Sequence, residues 1–263
     1  MQERPGASDQ FVQSLARGLD VIRAFDADRP RMTLSEVATV TGLSRAAARR
    51  FLLTLTELGY VRSDGRDFSL TPQVLRLGTS YLSGLGLPDV AQPHLQRLTA
   101  EIGESSSVAV LDGPDVVYVA RVATRSIMTV GITVGTRFPA HATSLGRVLL
   151  AALPADELDE TLATADLSGA GGQPSTDDVT VRTILRQTAQ QGWAATDQEL
   201  APGLRSVAAP IVDRGGAVVA AVNVSSTTAH DPPTEYLEVL LQTARAISAD
   251  LAALQVSSRV EPR

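Results

Sequence analysis

Four apolar residues near the start, Leu15, Leu19, Ile22 and Phe25, recur at helical spacing and predict a supporting helix. The next stretch begins at Met32 and reads MTLSEVATVTGLSRAAARRFLLTLTELGYVRSDGRDFSLTP. Thr33 and Glu36 make a T-x-x-E capping box, the start signal of a helix whose apolar face is Leu34, Val37 and Ala38. Gly42 suits the left-handed residue that closes such a helix, and Leu43 is placed to plug the turn. Ser44 then caps a second helix. In that helix Ala48, Leu52, Leu55 and Leu58, spaced i, i+4, i+7 and i+10 and widened by Phe51, predict the buried stripe. Gly59 ends it. Tyr60–Arg62 and Asp67–Leu70 bracket Ser63-Asp64-Gly65-Arg66, and Asp-Gly between short β-type runs signals a hairpin.

Further along, 72–84 predicts a helix opened by Pro72, and Gly84-Leu85-Gly86-Leu87-Pro88 predicts its break. Asp89 to Ile102 predicts another helix, capped by Asp89. The rhythm then turns to strands. Ser107–Leu111 and Val116–Arg121 flank the turn cluster Asp112-Gly113-Pro114-Asp115, and Met128–Val134 is strand-like. Ser144–Leu153 and Asp177–Gln191 are helical, with Leu145, Val148, Leu149 and Ala152 inward in the first. Val207–Val212 and Ala217–Val224 flank Asp213-Arg214-Gly215-Gly216, a second hairpin. Pro233–Leu254 is a closing helix with Leu237, Leu240, Leu241, Ala244, Ile247, Leu251 and Leu254 as its stripe. Hairpins mixed with helices, without strand–helix alternation, predict an α+β fold with an antiparallel sheet covered by helices.

The order helix, turn, helix, hairpin is how a winged helix-turn-helix places one helix in the major groove and a wing against the phosphates. Arg45, Arg49 and Arg50 lie off the apolar stripe in the first turn and a half of the second helix, where a recognition helix meets DNA. Arg45 and Arg50 are expected to touch bases or phosphates. Arg49, with Arg62 and Arg66 of the wing, is expected to hold the backbone. Thr33, Ser44 and Ala46 complete the DNA-facing set. Arg23, Arg29 and Arg31 read as solvated surface.

Charge supports this division. The chain carries a net −6, yet residues 11–76 sum to +3 and residues 77–263 to −8. A mildly basic head on an acidic body suits a DNA-binding module joined to a sensor module. The length of 263 residues allows one or two domains, and a 44% hydrophobic composition supplies a core. No run of about 18 apolar residues predicts a membrane span. The N-terminal MQERPGASDQ is polar, without the apolar stretch of a signal peptide, and reads as a disordered arm; a cytoplasmic protein is expected.

Several chemistries drop out. With no cysteine there is no disulfide, thiolate metal site or cysteine nucleophile. His94, His141 and His230 are far apart, so no metal is expected, and no cofactor either. All 23 basic residues are arginine, which excludes Schiff-base and phosphate-loop lysines. Ser144 in Ala142-Thr143-Ser144-Leu145-Gly146 lacks the first glycine of a nucleophile elbow. His141 lies three residues away, but no orienting carboxylate is evident. Asp197 and Glu199 are neighbouring polar loop residues, and Gly169-Ala170-Gly171-Gly172 has no phosphate-cradle pattern. No catalytic residue is expected.

On these segments the chain resembles the IclR family of bacterial transcriptional regulators from about Phe11 to Leu254. The head contributes SLARGLDVIRAF, LSEVATVTGLSRAAARRFLLTLTELGYV and FSLTPQVLRLG; the body contributes VGTRFPAHATSLGRVLLAALP and DQELAPGLRSVAAPIVDRGGAVVAAVNVSS. RMTLSEVATVTGLSRAAARRFLLTLTELGYV and IMTVGITVGTRFPAHATSLGRVLL look closest to the branch that regulates the β-ketoadipate pathway, with protocatechuate, 4-hydroxybenzoate or β-ketoadipate as effectors.

The resemblance implies a disordered arm (1–10), a winged helix-turn-helix domain (11–71), a linker helix (72–87), a GAF-like effector domain (88–257) and a tail (258–263). It also implies a homodimer, or a dimer of dimers forming a homotetramer, on a double-stranded operator. The pocket would take a small carboxylate. By position, His141, Ala142, Thr143, Ser144 and Leu145 line it and offer backbone N–H groups, with Asp197, Leu204, Ser206, Asn223 and Ser225 completing it. Ser206 stands where many members have cysteine and Asn223 where some have serine, which changes size and donor geometry. Arg121, Arg125 and Arg137 are candidates to neutralise the effector, and His141 to bind a phenol or carboxylate.

Alternatives stay open at this point. They are a regulator of the same type answering an unrelated small molecule, an enzyme of small carboxylates with an assembly module, and a DNA-organising protein without a switch.

Overall fold

The computed structural model describes residues 10–26, 28–124, 131–168, 175–229 and 232–257. The chain divides into two compact units between Tyr81 and Leu82.

The first unit runs α1 (Gln13–Arg23), β1 (Met32–Thr33), α2 (Leu34–Thr41), α3 (Arg45–Glu57), β2 (Val61–Ser63) and β3 (Asp67–Leu70). Its antiparallel sheet has the order β1-β3-β2. The capping box forms as its residues require. Glu36 N–H donates to Thr33 Oγ1, and Thr33 N–H donates to Glu36 Oε2 at 2.7 Å. Gly42 is left-handed at φ 66°, and Ser44 accepts the Ala47 N–H at 3.2 Å. Such a cap contributes about 1 kcal/mol. Val21, Met32, Val37, Ala48, Leu52, Leu55 and Val61 form the core, with Leu43 and Phe51 packed against it.

Two expectations fail here. Leu58 is exposed: ten residues past Ala48 it has turned about 80° off the stripe, and it sits at the C-cap of α3. In α1 the buried residue is Val21, with Ala24 and Phe25 just beyond, while Leu15 and Leu19 are exposed. Only the C-terminal end of that helix docks.

Thr71 caps a 3-10 turn at Pro72–Val74, and α4 follows at Leu75–Leu85. The next helix, α5, spans Leu87–Ile102. The expected break over Gly84–Pro88 therefore shrinks to Gly86 alone, which is left-handed at φ 62°. Asp89 lies in the first turn of α5 and is not its cap. Pro88 needs no N–H partner so early in a helix, so it does not delay the start.

The second unit continues with β4 (Ser105–Asp112), β5 (Asp115–Val122), β6 (Arg137–Pro139), a 3-10 turn at Ala140–Ala142, α6 (Ser144–Leu150), α7 (Ala155–Ala163) and α8 (Asp178–Gln191). Then come β7 (Ala194–Asp197), β8 (Leu204–Val212), β9 (Val218–Thr227), a 3-10 turn at Pro233–Tyr236 and α9 (Leu237–Ser257). The sheet is antiparallel throughout, in the order β6-β5-β4-β9-β8-β7. The strand period of two separates its faces. Val108, Val110, Val207, Ala209, Ile211, Val222 and Val224 face α5 and α9. Ala109, Ala208 and Ala221 face Leu145, Val148 and Leu149 of α6 and Val181 and Leu185 of α8.

The pattern of apolar residues did not reveal β6, β7 or α7. The strand expected at Met128–Val134 is not found at 131–134, where Thr133–Gly135 turns; 128–130 lie outside the described residues. The Gly169–Gly172 loop, the segments 1–9 and 258–263, Arg125 and His230 also lie outside them. Leu254, expected in the α9 stripe, is partly exposed near its end. Among the described residues no helix is long and apolar enough to cross a membrane, and no group of potential ligands could hold a metal.

The approach of α6 to the turn before it is the tightest in the unit. A Cβ on Gly146 would lie 2.1 Å from the Ala140 carbonyl oxygen and 2.3 Å from its Cα. Gly146→Ala is expected to cost roughly 1–3 kcal/mol through overpacking. At about 2–4 °C per kcal/mol for a domain of this size, calorimetry should read a clearly lowered melting temperature. An unchanged midpoint would show that the turn and helix separate without cost.

Candidate functional site

In the first unit exposed arginines sit at the start of α3 and on the wing. Arg45, Ala46, Arg49 and Arg50 are exposed on α3, as they must be when Ala48 and Leu52 point inward. Ser44 is exposed at its cap. Thr33 is half-buried, and its hydroxyl donates to Glu36 Oε2 at 2.8 Å, so its chemistry is spent on the capping box. Arg62 Nε donates to Ser69 Oγ at 3.1 Å across the wing. Arg66 is exposed at the wing turn, where Asp64 accepts the Asp67 N–H at 2.9 Å and the Arg66 N–H at 3.3 Å. These two N–H groups hold the Asp64 carboxyl below its usual range. Arg31, expected as plain solvated surface, pairs with Asp64 and ties the wing turn to the strand opposite.

In the second unit the polar residues gather at one end of the sheet face that meets α6. Register puts Thr196, Ser206, Ser225 and Ser105 in one row across β7, β8, β9 and β4. The neighbouring row holds Ala208, Asn223, Ser107 and Arg121. Side chains of one parity share a face, so both rows look toward α6. Thr196 Oγ1 lies 2.9 Å from Ser206 Oγ, which lies 2.7 Å from Ser144 Oγ at the start of α6. Asn223 Nδ2 donates to Ser225 Oγ at 2.9 Å. Arg121 Nη1 donates to Ser107 Oγ at 2.9 Å. Burial lowers the Arg121 guanidinium from its ordinary value.

Tyr118, Ile132, Ala142, Thr143, Thr196, Leu200, Leu204, Ser206, Asn223 and Ser225 line a narrow cavity over these rows. Burial pushes the Tyr118 phenol up to about 12, so it is neutral, and its ring meets Phe138 edge-on with centroids 5.8 Å apart.

A second cavity lies on the other side of the 140–142 turn, lined by His141, Ala142, Arg147, Thr176, Val181, Ile184, Leu185 and Glu199. Arg147 organises it. The arginine is buried on α6, donates from Nε to the His141 carbonyl at 3.0 Å and from Nη1 to the Ala195 carbonyl at 3.1 Å, and pairs with both oxygens of Glu199. Beside it His141 is only 6% exposed, and no described group hydrogen-bonds its Nδ1. Burial first, and the Arg147 charge second, depress the His141 pKa below 6.5. The imidazole is therefore neutral at pH 7.

The sequence-predicted pocket residues thus divide. Ala142, Thr143, Leu204, Ser206, Asn223 and Ser225 line the first cavity, and His141 and Ala142 the second. Ser144 reaches the first cavity through Ser206, while Leu145 is wholly buried in the core beneath α6. The Thr143 hydroxyl accepts the Gly146 N–H at 2.9 Å, so that N–H of the α6 start is already used. Asp197 lines neither cavity. It is exposed at the end of β7 and its carboxylate accepts from Arg205 Nε at 3.0 Å, which lowers its pKa. Arg137 is also spent elsewhere, on Asp112 at 2.5 Å and Asp115 at 3.2 Å by the β4–β5 turn.

Sequence reasoning missed Tyr118, Thr196, Ser107 and Arg147. The first three carried a signal, a polar or amphipathic residue at the inward parity of a strand. Arg147 carried another, a cation inside the apolar run Leu145–Leu150.

Comparison with known proteins adds to this geometry. Residues 79–249 match the family model described as the bacterial transcriptional regulator IclR C-terminal domain, and residues 14–65 match the IclR helix-turn-helix domain. The Pca regulon regulatory protein of Pseudomonas putida is 43% identical over 242 residues, covering 92% of this chain and 83% of that one. A solved transcriptional regulator from Rhodococcus sp. RHA1 is 53% identical, with a TM-score of 0.80 over 93% of this chain and 100% of that one. An IclR homolog from Microbacterium hydrocarbonoxydans, solved as a complex with 4-hydroxybenzoate, is 26% identical. Its TM-score is also 0.80, over 91% of this chain and 99% of that one.

The depressed His141 pKa has a consequence for stability. Below pH 6.5 the unfolded chain binds a proton that the folded chain refuses, so acidification favours unfolding. The melting temperature should fall as pH drops below about 6.5, and the fall should be smaller in His141→Asn. Equal pH profiles for the two proteins would mean that His141 is readily protonated in the native state.

Proposed function

The chain belongs to the IclR family of bacterial transcriptional regulators, and on that premise we propose an effector-responsive regulator whose occupancy or activation of an operator is set by a small carboxylate. The effector we favour is an aromatic acid or another intermediate of the β-ketoadipate pathway. The observation that carries this is the cavity over the α6 face, where Ser206, Thr196, Asn223 and Ser225 bring hydrogen-bonding groups into an otherwise apolar enclosure. A few converging polar groups in an apolar pocket are what a small polar ligand needs. Arg121, at the end of the Asn223 row, supplies the nearby positive charge that an anion requires. The bound 4-hydroxybenzoate of the Microbacterium homolog supports the choice of ligand class.

At the other unit Arg45 and Arg50 contact bases or phosphates, and Arg49, Arg62 and Arg66 hold the backbone, with Thr33, Ser44 and Ala46 alongside. The protein acts in the cytoplasm as a homodimer or dimer of dimers, without cofactor or catalytic step. The effector must bind one arrangement of the assembly better than another, by about 1–3 kcal/mol in typical cases, or it shifts nothing.

Two measurements test this. Arg45→Ala should lose about 1–3 kcal/mol of discrimination at one operator position if Arg45 reads a guanine. It should instead weaken all sequences alike and flatten the salt slope by about one unit if it holds a phosphate. Unchanged binding to every sequence removes Arg45 from the interface. Thermal melting with protocatechuate, 4-hydroxybenzoate, β-ketoadipate, pyruvate and glyoxylate tests the effector. A true ligand at 100 times its dissociation constant adds roughly 2.7 kcal/mol. Indifference to all five would sink the assignment.

A further inference from the structure

We propose that Asn223 makes the cavity selective for acids that also carry a hydroxyl group, because its buried amide oxygen has no donor among the described groups and a ligand hydroxyl can supply one. The inference rests on reading this cavity as the effector site.

Asn223 is 2% exposed and lines the cavity. Its Nδ2 lies 2.9 Å from Ser225 Oγ, an arrangement that leaves Oδ1 as the other end of the amide. That end, Oδ1, is buried and accepts no hydrogen bond from any described group. An amide oxygen has lone pairs and no hydrogen, so its partner must donate. Among the hydroxyls that the strands and the α6 turn bring to the lining, the following are engaged. Thr196 and Ser206 bond each other, Ser206 also bonds Ser144, and Thr143 is engaged by Gly146.

The cavity therefore presents a buried acceptor in need of a donor. A carboxylate at neutral pH has only acceptor oxygens and is repelled from Oδ1. A hydroxyl satisfies it. A ligand bearing both groups must place its hydroxyl toward Asn223 and its carboxylate away. Hydroxylated carboxylic acids meet that demand, whereas β-ketoadipate, with two carboxylates and a ketone, has no donor to offer. A site built around a ligand hydroxyl discriminates strongly against analogues that lack it, since the polar group is then left unpaired.

Ser225 acts here as a positioning residue through its hydrogen bond with the Asn223 amide. Its effect should appear in selectivity and not only in stability.

Titration calorimetry of the full chain with benzoate, 3-hydroxybenzoate, 4-hydroxybenzoate and β-ketoadipate tests the proposal. The wild type should bind one hydroxybenzoate about tenfold or more tighter than benzoate and β-ketoadipate. Asn223→Leu, close in volume and without polar atoms, should bring the hydroxybenzoate-to-benzoate ratio to about one while benzoate binding persists. Ser225→Ala should lower the same ratio, and it decides the matter should Asn223→Leu fail to fold. A hydroxyl preference that survives in the folded Asn223→Leu variant overturns the proposal. So does a wild type that binds acids with no preference for the hydroxyl, which leaves the effector reading standing. Binding of none of the four acids removes this proposal; a melting shift with some other acid would still keep the effector reading, and failure of both experiments would end it.

Discussion

The larger unit depends on how α6 is held against its sheet, and one buried guanidinium ties three segments together there. Arg147 donates to the carbonyls of His141 and Ala195 and pairs with both oxygens of Glu199. It thereby joins the turn before α6, strand β7 and the loop after β7. Burying a charge is costly unless it is paired and fully hydrogen-bonded, and removing one partner leaves the other uncompensated. Gly146 adds a steric condition, since only a residue without Cβ allows α6 to lie on the Ala140 backbone. Between them they fix the position of Ala142, Thr143 and Ser144, and so the roof of the cavity over Ser206 and Asn223.

The sheet explains why binding groups sit where they do. Its face toward α5 and α9 is filled by Val and Ile, whereas the face toward α6 carries alanines in the middle and hydroxyls at one end. Small residues leave room above the sheet. Thr196, Ser206, Asn223 and Ser225 then make one end of that face polar. The head differs, carrying arginines on the exposed side of α3.

Local signals in the sequence were readable where a single residue type has one physical use. The Thr33 box, Gly42 and the Ser44 cap formed as their chemistry dictates, and the hairpin turned at Asp64-Gly65. Longer-range features were harder. Leu58 fitted an i+10 spacing that a helix of 3.6 residues per turn does not keep on one face. Pro88 and Asp89 look like a break and a cap, yet Gly86 alone interrupts the chain. Asp197 matched a pocket position by sequence, but its carboxylate is drawn to Arg205, two strand ends away in sequence and adjacent in the sheet. The strand order that unites Ser107, Asn223 and Arg121 cannot be read from periodicity, because pairing between distant strands leaves no local mark.

The hydroxyl groups of Thr196, Ser206 and Ser144 form a short wire, each able to give a hydrogen and to take one. Such a wire has two senses, running toward Ser144 or away from it, and reversing it moves protons about their C–O bonds but no heavier atom. Whatever meets the Thr196 end chooses the sense. An acceptor there draws the Thr196 hydrogen outward, so that the other hydroxyls turn to follow, and a donor drives them the other way. The polarity of a group bound on β7 is in this manner written onto Ser144, the first residue of the helix that Arg147 holds in place.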